Sequence, residues 1–172
     1  MNNSNKSLDN TVSFTQRKMS SPAFQRLYDE GMQLVEATAS YLDGIGREEA
    51  KYLSRVATSL YAAESMRLTT RLMQVSSWLL LQRAFNSGEM NRQQVEDERN
   101  KIRLDTSSAA ATADGWEEMP AAFLALIASS LRLQQRVAAL NEELYHPEVS
   151  EAANADNPVN AQINLLKTAF GD

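Results

Sequence analysis

The sequence predicts an all-α protein: an antiparallel three-helix bundle with a kinked or broken long second helix and flexible termini. Three observations carry this. The run from Arg47 to Ser87 holds no glycine and no proline, and helix is the natural reading of such a run. Two further stretches, Phe24 to Leu42 and Phe123 to Leu144, repeat apolar residues at spacings of three and four, the pattern of a helix with a covered face. Proline and glycine fall where helices start and stop, at Pro22, Gly44, Pro120 and Pro147.

Residues 1–20 are rich in Asn, Ser, Thr and Lys and read as a mobile arm. The bundle is expected over 21–145. Ser21 caps the first helix and Pro22 takes its first position, where a missing N–H is not needed. Gly31 in mid-helix costs roughly 1 kcal/mol relative to Ala, which points to a close helix crossing. Gly44 suits the left-handed position that ends a helix. A second helix from Arg47 to Ser87 would run about 60 Å, twice the length of the first. The overhang must bend, break or find another partner. Its apolar phase shifts near residues 57–62, from Leu53, Val56 and Leu60 to Leu68, Leu72, Val75 and Leu79. Asn91 and Gln94 form a weak capping box for a short exposed helix over 91–104, pinned by Val95, Ile102 and Leu104. Asp105 to Gly115 is Ser-, Thr- and Ala-rich and reads as a loop. The last long helix opens at Pro120 and ends near Tyr145, because Pro147 follows. Residues 146–172 form an acidic tail with an apolar end, Ile163, Leu165, Leu166 and Phe170.

The middle of the second helix organises the rest. Wound at 3.6 residues per turn it shows three stripes. Tyr61, Leu68, Leu72, Val75 and Leu79 share one face; Ala62, Met66, Met73, Leu80 and Ala84 share another. These two are read as the intramolecular core. The third stripe is Arg67, Arg71, Gln74, Trp78, Leu81 and Phe85. Either loops or the segment after Ser87 cover it, or it is a partner or dimer interface. An exposed Trp, Leu and Phe on one stripe would form a sizeable apolar patch, and the interface is the working expectation. Glu64, Arg67 and Arg71 read as an intrahelical ion-pair ladder, or the two arginines receive a carboxylate from another helix or chain.

Composition narrows the function. There is no cysteine, which excludes disulfides, thiol catalysis and thiolate metal sites and fits a reducing cytoplasm. No apolar run reaches the roughly 18–20 residues of a membrane span, and the polar N-terminus is not a secretory signal. Residues 1–87 carry ten Lys and Arg against eight Asp and Glu, whereas residues 88–172 carry seven against fourteen. The acidic balance disfavours nucleic acid, whose binding rests on neutralised phosphates. The lone histidine, His146, sits beside a proline at a helix end. That placement suits neither a di-metal bundle, which needs Glu-x-x-His pairs on facing helices, nor helical phosphotransfer. There is no Gly-x-Ser-x-Gly turn and no glycine-rich phosphate loop. No catalytic residue, cofactor or metal is expected.

Several blocks carry a resemblance: Ser21-Pro22-Ala23-Phe24, Gly31-Met32, Tyr41-Leu42-Asp43-Gly44, Gly46-Arg47, and above all Glu64 to Gln74 with Ser77 to Ala84. Over residues 21–144 the chain resembles the RcdA family, named for regulation of CtrA degradation and long labelled only as a domain of unknown function. The resemblance implies an alphaproteobacterial, cytoplasmic α-helical bundle, commonly homodimeric, concentrated at a cell pole with its protease. It implies a non-enzymatic adaptor that delivers protein substrates to the ClpX/ClpP protease during the cell cycle, with the response regulator CpdR and a second adaptor that responds to cyclic di-GMP. The apolar tail end, Ile163, Leu165, Leu166 and Phe170, reads as a frayed end or as a docking peptide for a partner. Two rival readings stay open. A DNA-associated regulator would use the basic stripe Arg47, Lys51 and Arg55, and a small-molecule-binding bundle would need a deep pocket with convergent polar groups.

Overall fold

A computed structural model describes residues 21–145. They form an all-α bundle with no strand among the described residues. Helix α1 spans Pro22–Asp43, α2 Ile45–Glu49, α3 Arg55–Asn86, α4 Arg92–Arg99 and α5 Ala121–Tyr145; short 3-10 turns lie at Ala50–Tyr52 and Trp116–Glu118. The chain divides into two compact units after Gln135. The first holds α1 to α4 and most of α5. In the second, the described residues are the last turns of α5, with Val137 and Leu144 buried.

Helix α1 starts as its sequence dictates. The Ser21 side chain accepts from Phe24 N at 3.3 Å, and Pro22 follows. Phe24, Leu27 and Tyr28 bury one face, and Arg83 of α3 lies over the Tyr28 ring at 4.9 Å. At Gly31 a Cβ would come within 2.6 Å of Leu79 Cδ1 and 3.7 Å of Leu133 Cδ2. The helices therefore cross here, as the mid-helix glycine predicts, and a side chain would hold them apart.

The end of α1 corrects the expectation for Gly44. Its φ is −107°, outside the left-handed region, so no left-handed cap forms. The chain turns instead through α2 and the 3-10 turn. Tyr41 donates to Glu49 Oε2 at 2.6 Å and stacks on Phe123. Burial, then the bond to Glu49, pushes the Tyr41 hydroxyl well above its usual range.

The long second helix is broken, but earlier than the 57–62 phase change. Leu53 is extended, and Ser54 caps a fresh helix by accepting from Ala57 N at 3.2 Å. The physical reason lies in chemistry rather than in phase. Ser54 is a natural N-cap, and Glu118 fixes it there by accepting from Ser54 Oγ at 2.7 Å and Ser54 N at 3.0 Å.

The direction of the last helix refines the bundle. Along α3, Ala57, Tyr61 and Arg71 meet Gly115, Phe123 and Ser130 in that order. Helices α3 and α5 therefore run the same way, and α1 runs against both. Two parallel neighbours need a long return. Residues 100–115 provide it, travelling back along α3 from Gln74 past Arg71 and Glu64 to Ala57.

Candidate functional site

Two surfaces of α3 decide what the bundle can do. One faces the return segment and is closed. The other faces outward and is open.

The closed surface is built from polar side chains that grip a backbone. Residues 101–108 alternate between exposed and half-buried, the period of an extended chain. An extended chain that makes no sheet must find partners for its N–H and C=O groups elsewhere. Helix α3 supplies them at spacings of seven and three. Glu64 Oε1 accepts from Ala109 N at 2.9 Å, Arg71 Nε donates to Thr106 O at 3.1 Å, and Gln74 Oε1 accepts from Arg103 N at 2.9 Å. From α5, Gln134 Nε2 donates to the same Thr106 carbonyl at 3.3 Å. Arg71 also donates to Ser108 Oγ at 2.8 Å and Ser130 Oγ at 2.7 Å. One guanidinium thus joins α3, α5 and the return segment.

Arg71 and Glu64 are both fully buried. Burial pushes the Arg71 pKa down, while the Glu64 carboxylate pushes it up and Arg67 lowers it further. Arg67 is 44% exposed and ion-pairs with Glu64 Oε1; Glu64 Oε2 has no hydrogen-bond partner among the described residues. The three charges form one cluster that holds a strap in place.

Within one chain most of the third stripe is covered. Of the third stripe, Arg71 and Trp78 are fully buried, Leu81 is buried, and Gln74 and Phe85 are half-buried; only Arg67 is exposed. The cover comes from within the chain, through the strap and through α4, which packs on α3. Helix α4 is fixed by its capping box, with Gln94 N on Asn91 Oδ1 at 3.0 Å and Asn91 N on Gln94 Oε1 at 2.9 Å, and Val95 buries inward. It stops at Arg99 rather than 104, because Ile102 and Leu104 belong to the strap. The signal was present in Ile102, Leu104, Thr106 and Ser108, which alternate with Lys101, Arg103, Asp105 and Ser107.

The open surface is the second stripe, expected to be core. Met66 is 70% exposed, Met73 56% and Leu80 50%. They belong to the series Ala62, Met66, Thr69, Met73, Ser76, Leu80, whose spacing of four and three is that of a helix seam seeking another helix. Beside it, Val35, Thr38, Ala39 and Leu42 of α1 and Thr69, Leu72, Met73 and Ser76 of α3 line a cavity of about 280 Å³. The tip of the α1–α3 connection exposes Ile45, Tyr52 and Val56. Arg47, Lys51 and Arg55 are exposed there, with Lys51 Nζ 2.7 Å from Glu48 Oε2. His146, the tail residues Ile163, Leu165, Leu166 and Phe170, and the arm 1–20 lie outside the described residues. No group of three His, Cys, Asp or Glu among the described residues could hold a metal ion, and no described helix is long and apolar enough to cross a membrane.

Comparison with known proteins places this bundle. Residues 15–170 match the family described as "Protein of unknown function (DUF1465)". The crystal structure of RcdA from Caulobacter crescentus is similar with a TM-score of 0.59 and 48% sequence identity, over 73% of this chain and 94% of that one. The chain belongs to the RcdA family. No curated protein matches. Within the RcdA family, then, this member spends Glu64, Arg71 and Gln74 on internal packing and leaves Met66, Met73 and Leu80 facing outward.

Proposed function

We propose that the chain is a non-enzymatic adaptor in regulated proteolysis. It delivers protein substrates to the ClpX/ClpP protease together with the response regulator CpdR and a second adaptor, in the cytoplasm and at a cell pole. The observation that carries this reading is the 48% identity to RcdA across 94% of that chain. The structure supports it through an outward helix face made of Met, Leu and small residues, a composition that adapts to partners. Adaptor work needs only tethering, which raises the local concentration of a substrate without any bond being made.

In this reading residues 21–145 are the helical bundle domain, with 1–20 as an N-terminal arm and 146–172 as an acidic C-terminal tail. The homodimer forms through the seam of Met66, Met73 and Leu80 rather than through the stripe around Trp78. Arg67, the exposed member of that stripe, remains open to a partner's carboxylate. The apolar tail end, Ile163, Leu165, Leu166 and Phe170, adds a peptide contact.

The test is a reconstituted degradation assay with ClpX, ClpP, CpdR and a fluorescent substrate of the pathway. The intact chain is expected to speed loss of substrate, and Met66→Asp with Leu80→Asp to abolish the gain while helicity by circular dichroism is kept. Equal degradation rates with and without the chain would overturn the proposal.

A further inference from the structure

We propose that the groove between α3 and α5 is a receptor for an extended segment of a partner protein, and that the strap is its exchangeable internal occupant. The grip reads a main chain rather than a particular sequence. Gln74 Oε1 takes the Arg103 N–H, Arg71 Nε and Gln134 Nε2 donate to the Thr106 carbonyl, and Glu64 Oε1 takes the Ala109 N–H. The register suits an extended chain. Arg71 and Glu64 are seven helical residues apart, about 10.5 Å, and Thr106 and Ala109 are three extended residues apart, about 10 Å. In such a groove, bonds to main-chain atoms give affinity and the alternate side chains give selectivity.

The strap also fills the groove incompletely. Glu64 Oε2 and Gln134 Oε1 are buried with no hydrogen-bond partner among the described residues, although the other polar atom of each side chain holds the strap. A buried acceptor left unmade is unfavourable, so a segment that offers one more donor than the strap is held better. The strap's own hold is shallow. No residue from 101 to 108 is fully buried, whereas Glu64 and Arg71, which grip it, are. Segments with few buried contacts are the ones that open locally.

The inward positions say what kind of segment fits. Ile102, Leu104, Thr106 and Ser108 are half-buried, and Ser108 Oγ accepts from Arg71 Nη2 at 2.8 Å. The visitor is therefore an extended stretch with apolar and then small hydroxyl residues at alternate positions. Exchange stands on this geometry alone; that the visitors are substrates bound for a protease rests on the adaptor reading above.

The probe is a fluorescent peptide of the strap's own sequence, Lys101 to Ala110, added to the full-length chain and followed by anisotropy. Arg103→Pro with Ala109→Pro removes both N–H donors from the internal strap and leaves the gripping side chains in place. A tethered strap competes at an effective concentration of about 1 mM. The peptide is therefore expected to bind this variant at least about tenfold more tightly than the intact chain. The same peptide N-methylated at the residues matching Arg103 and Ala109 should bind the variant at least about tenfold more weakly. Equal binding to both chains, equal binding of both peptides, or no binding at about 1 mM peptide would overturn the proposal. Should the proline pair lose helicity by circular dichroism, amide exchange on the intact chain decides. The Arg103 and Ala109 amides are expected to exchange at least about a hundredfold faster than amides in the middle of α1, and equal rates would overturn the proposal as well. Peptide exchange in a chain that gives ClpX and ClpP no gain would fault the adaptor reading and leave the groove in place.

Discussion

Arg71→Met is the sharpest probe of the fold's organisation. The guanidinium makes three hydrogen bonds, to Thr106 O, Ser108 Oγ and Ser130 Oγ. Methionine keeps an unbranched apolar stem of similar reach and removes all three. The loss is not three independent bonds. Thr106 O keeps its bond from Gln134, and Ser130 Oγ still donates to Ile127 O at 2.7 Å. What is stranded is the Ser108 hydroxyl and, more seriously, the buried Glu64 carboxylate, which keeps Arg67 and Ala109 N but loses a nearby positive charge. Removing one member of a buried charge set costs about 3–5 kcal/mol. Because Arg67 stays, the lower end applies, and we expect about 3 kcal/mol, a large share of a total of roughly 5–15 kcal/mol.

Urea unfolding reads the total, and amide exchange reads the place. The Arg103 and Ala109 amides donate to side chains of α3, not to another backbone. Both should lose protection in Arg71→Met while amides in the middle of α1 keep theirs. Adding Glu64→Gln should recover part of the loss, since the two sites share one cluster and their effects are not additive. A loss under about 1 kcal/mol with the Arg103 and Ala109 amides still protected would refute the claim that this cluster holds the strap.

Four further outcomes are expected from the same structure. Gly115 has φ +84°, and a Cβ there would lie 2.8 Å from the Ala57 backbone; Gly115→Ala should cost at least about 2 kcal/mol and lower the melting temperature by roughly 4–8 °C. Two bonds from Ser54, backbone first and then hydroxyl, hold the Glu118 carboxyl below its ordinary value of 4.5. Its folded pKa is the depressed one, so its stabilisation is present above about pH 4.5 and is lost as pH falls through the folded value. Glu118→Gln, which offers one acceptor oxygen in place of two and has no carboxyl to titrate, should flatten that part of the acid limb of the pH–stability curve. Trp78→Ala, at a fully buried site, should cost about 3–5 kcal/mol and show as lost helicity on mild heating rather than as a selective loss of association. Met66→Asp with Leu80→Asp should change stability by no more than about 0.5 kcal/mol at each exposed site while abolishing self-association in sedimentation.

Most of the fold could be read from local signals. Ser21-Pro22, the Asn91–Gln94 box and Gly31 each act through chemistry confined to a few neighbours, and each does in the structure what its sequence implies. The apolar series Phe123, Ile127, Val137 and Leu144 is likewise buried as its spacing predicts. What could not be read was the identity of the covered faces of α3. Three stripes of comparable size compete for two covers, and periodicity alone does not rank them. The decision is taken 29 to 45 residues away in sequence, by a strap whose alternation is half Ser and Thr and so carries little hydrophobic signal.

The ranking has a physical logic once the strap is known. A helix neighbour arrives with its own backbone hydrogen bonds closed and needs only apolar contact, which Leu68, Leu72, Val75 and Leu79 provide. An extended neighbour arrives with open N–H and C=O groups and needs polar side chains at the spacing of its own repeat, which Glu64, Arg71 and Gln74 provide. A stripe that begins polar and ends aromatic suits a return segment followed by α4, and suits it better than a symmetric copy of itself. Met66, Met73 and Leu80 have no polar reach with which to hold an extended neighbour, and they stay half exposed or more, Met73 at the edge of the groove between α1 and α3.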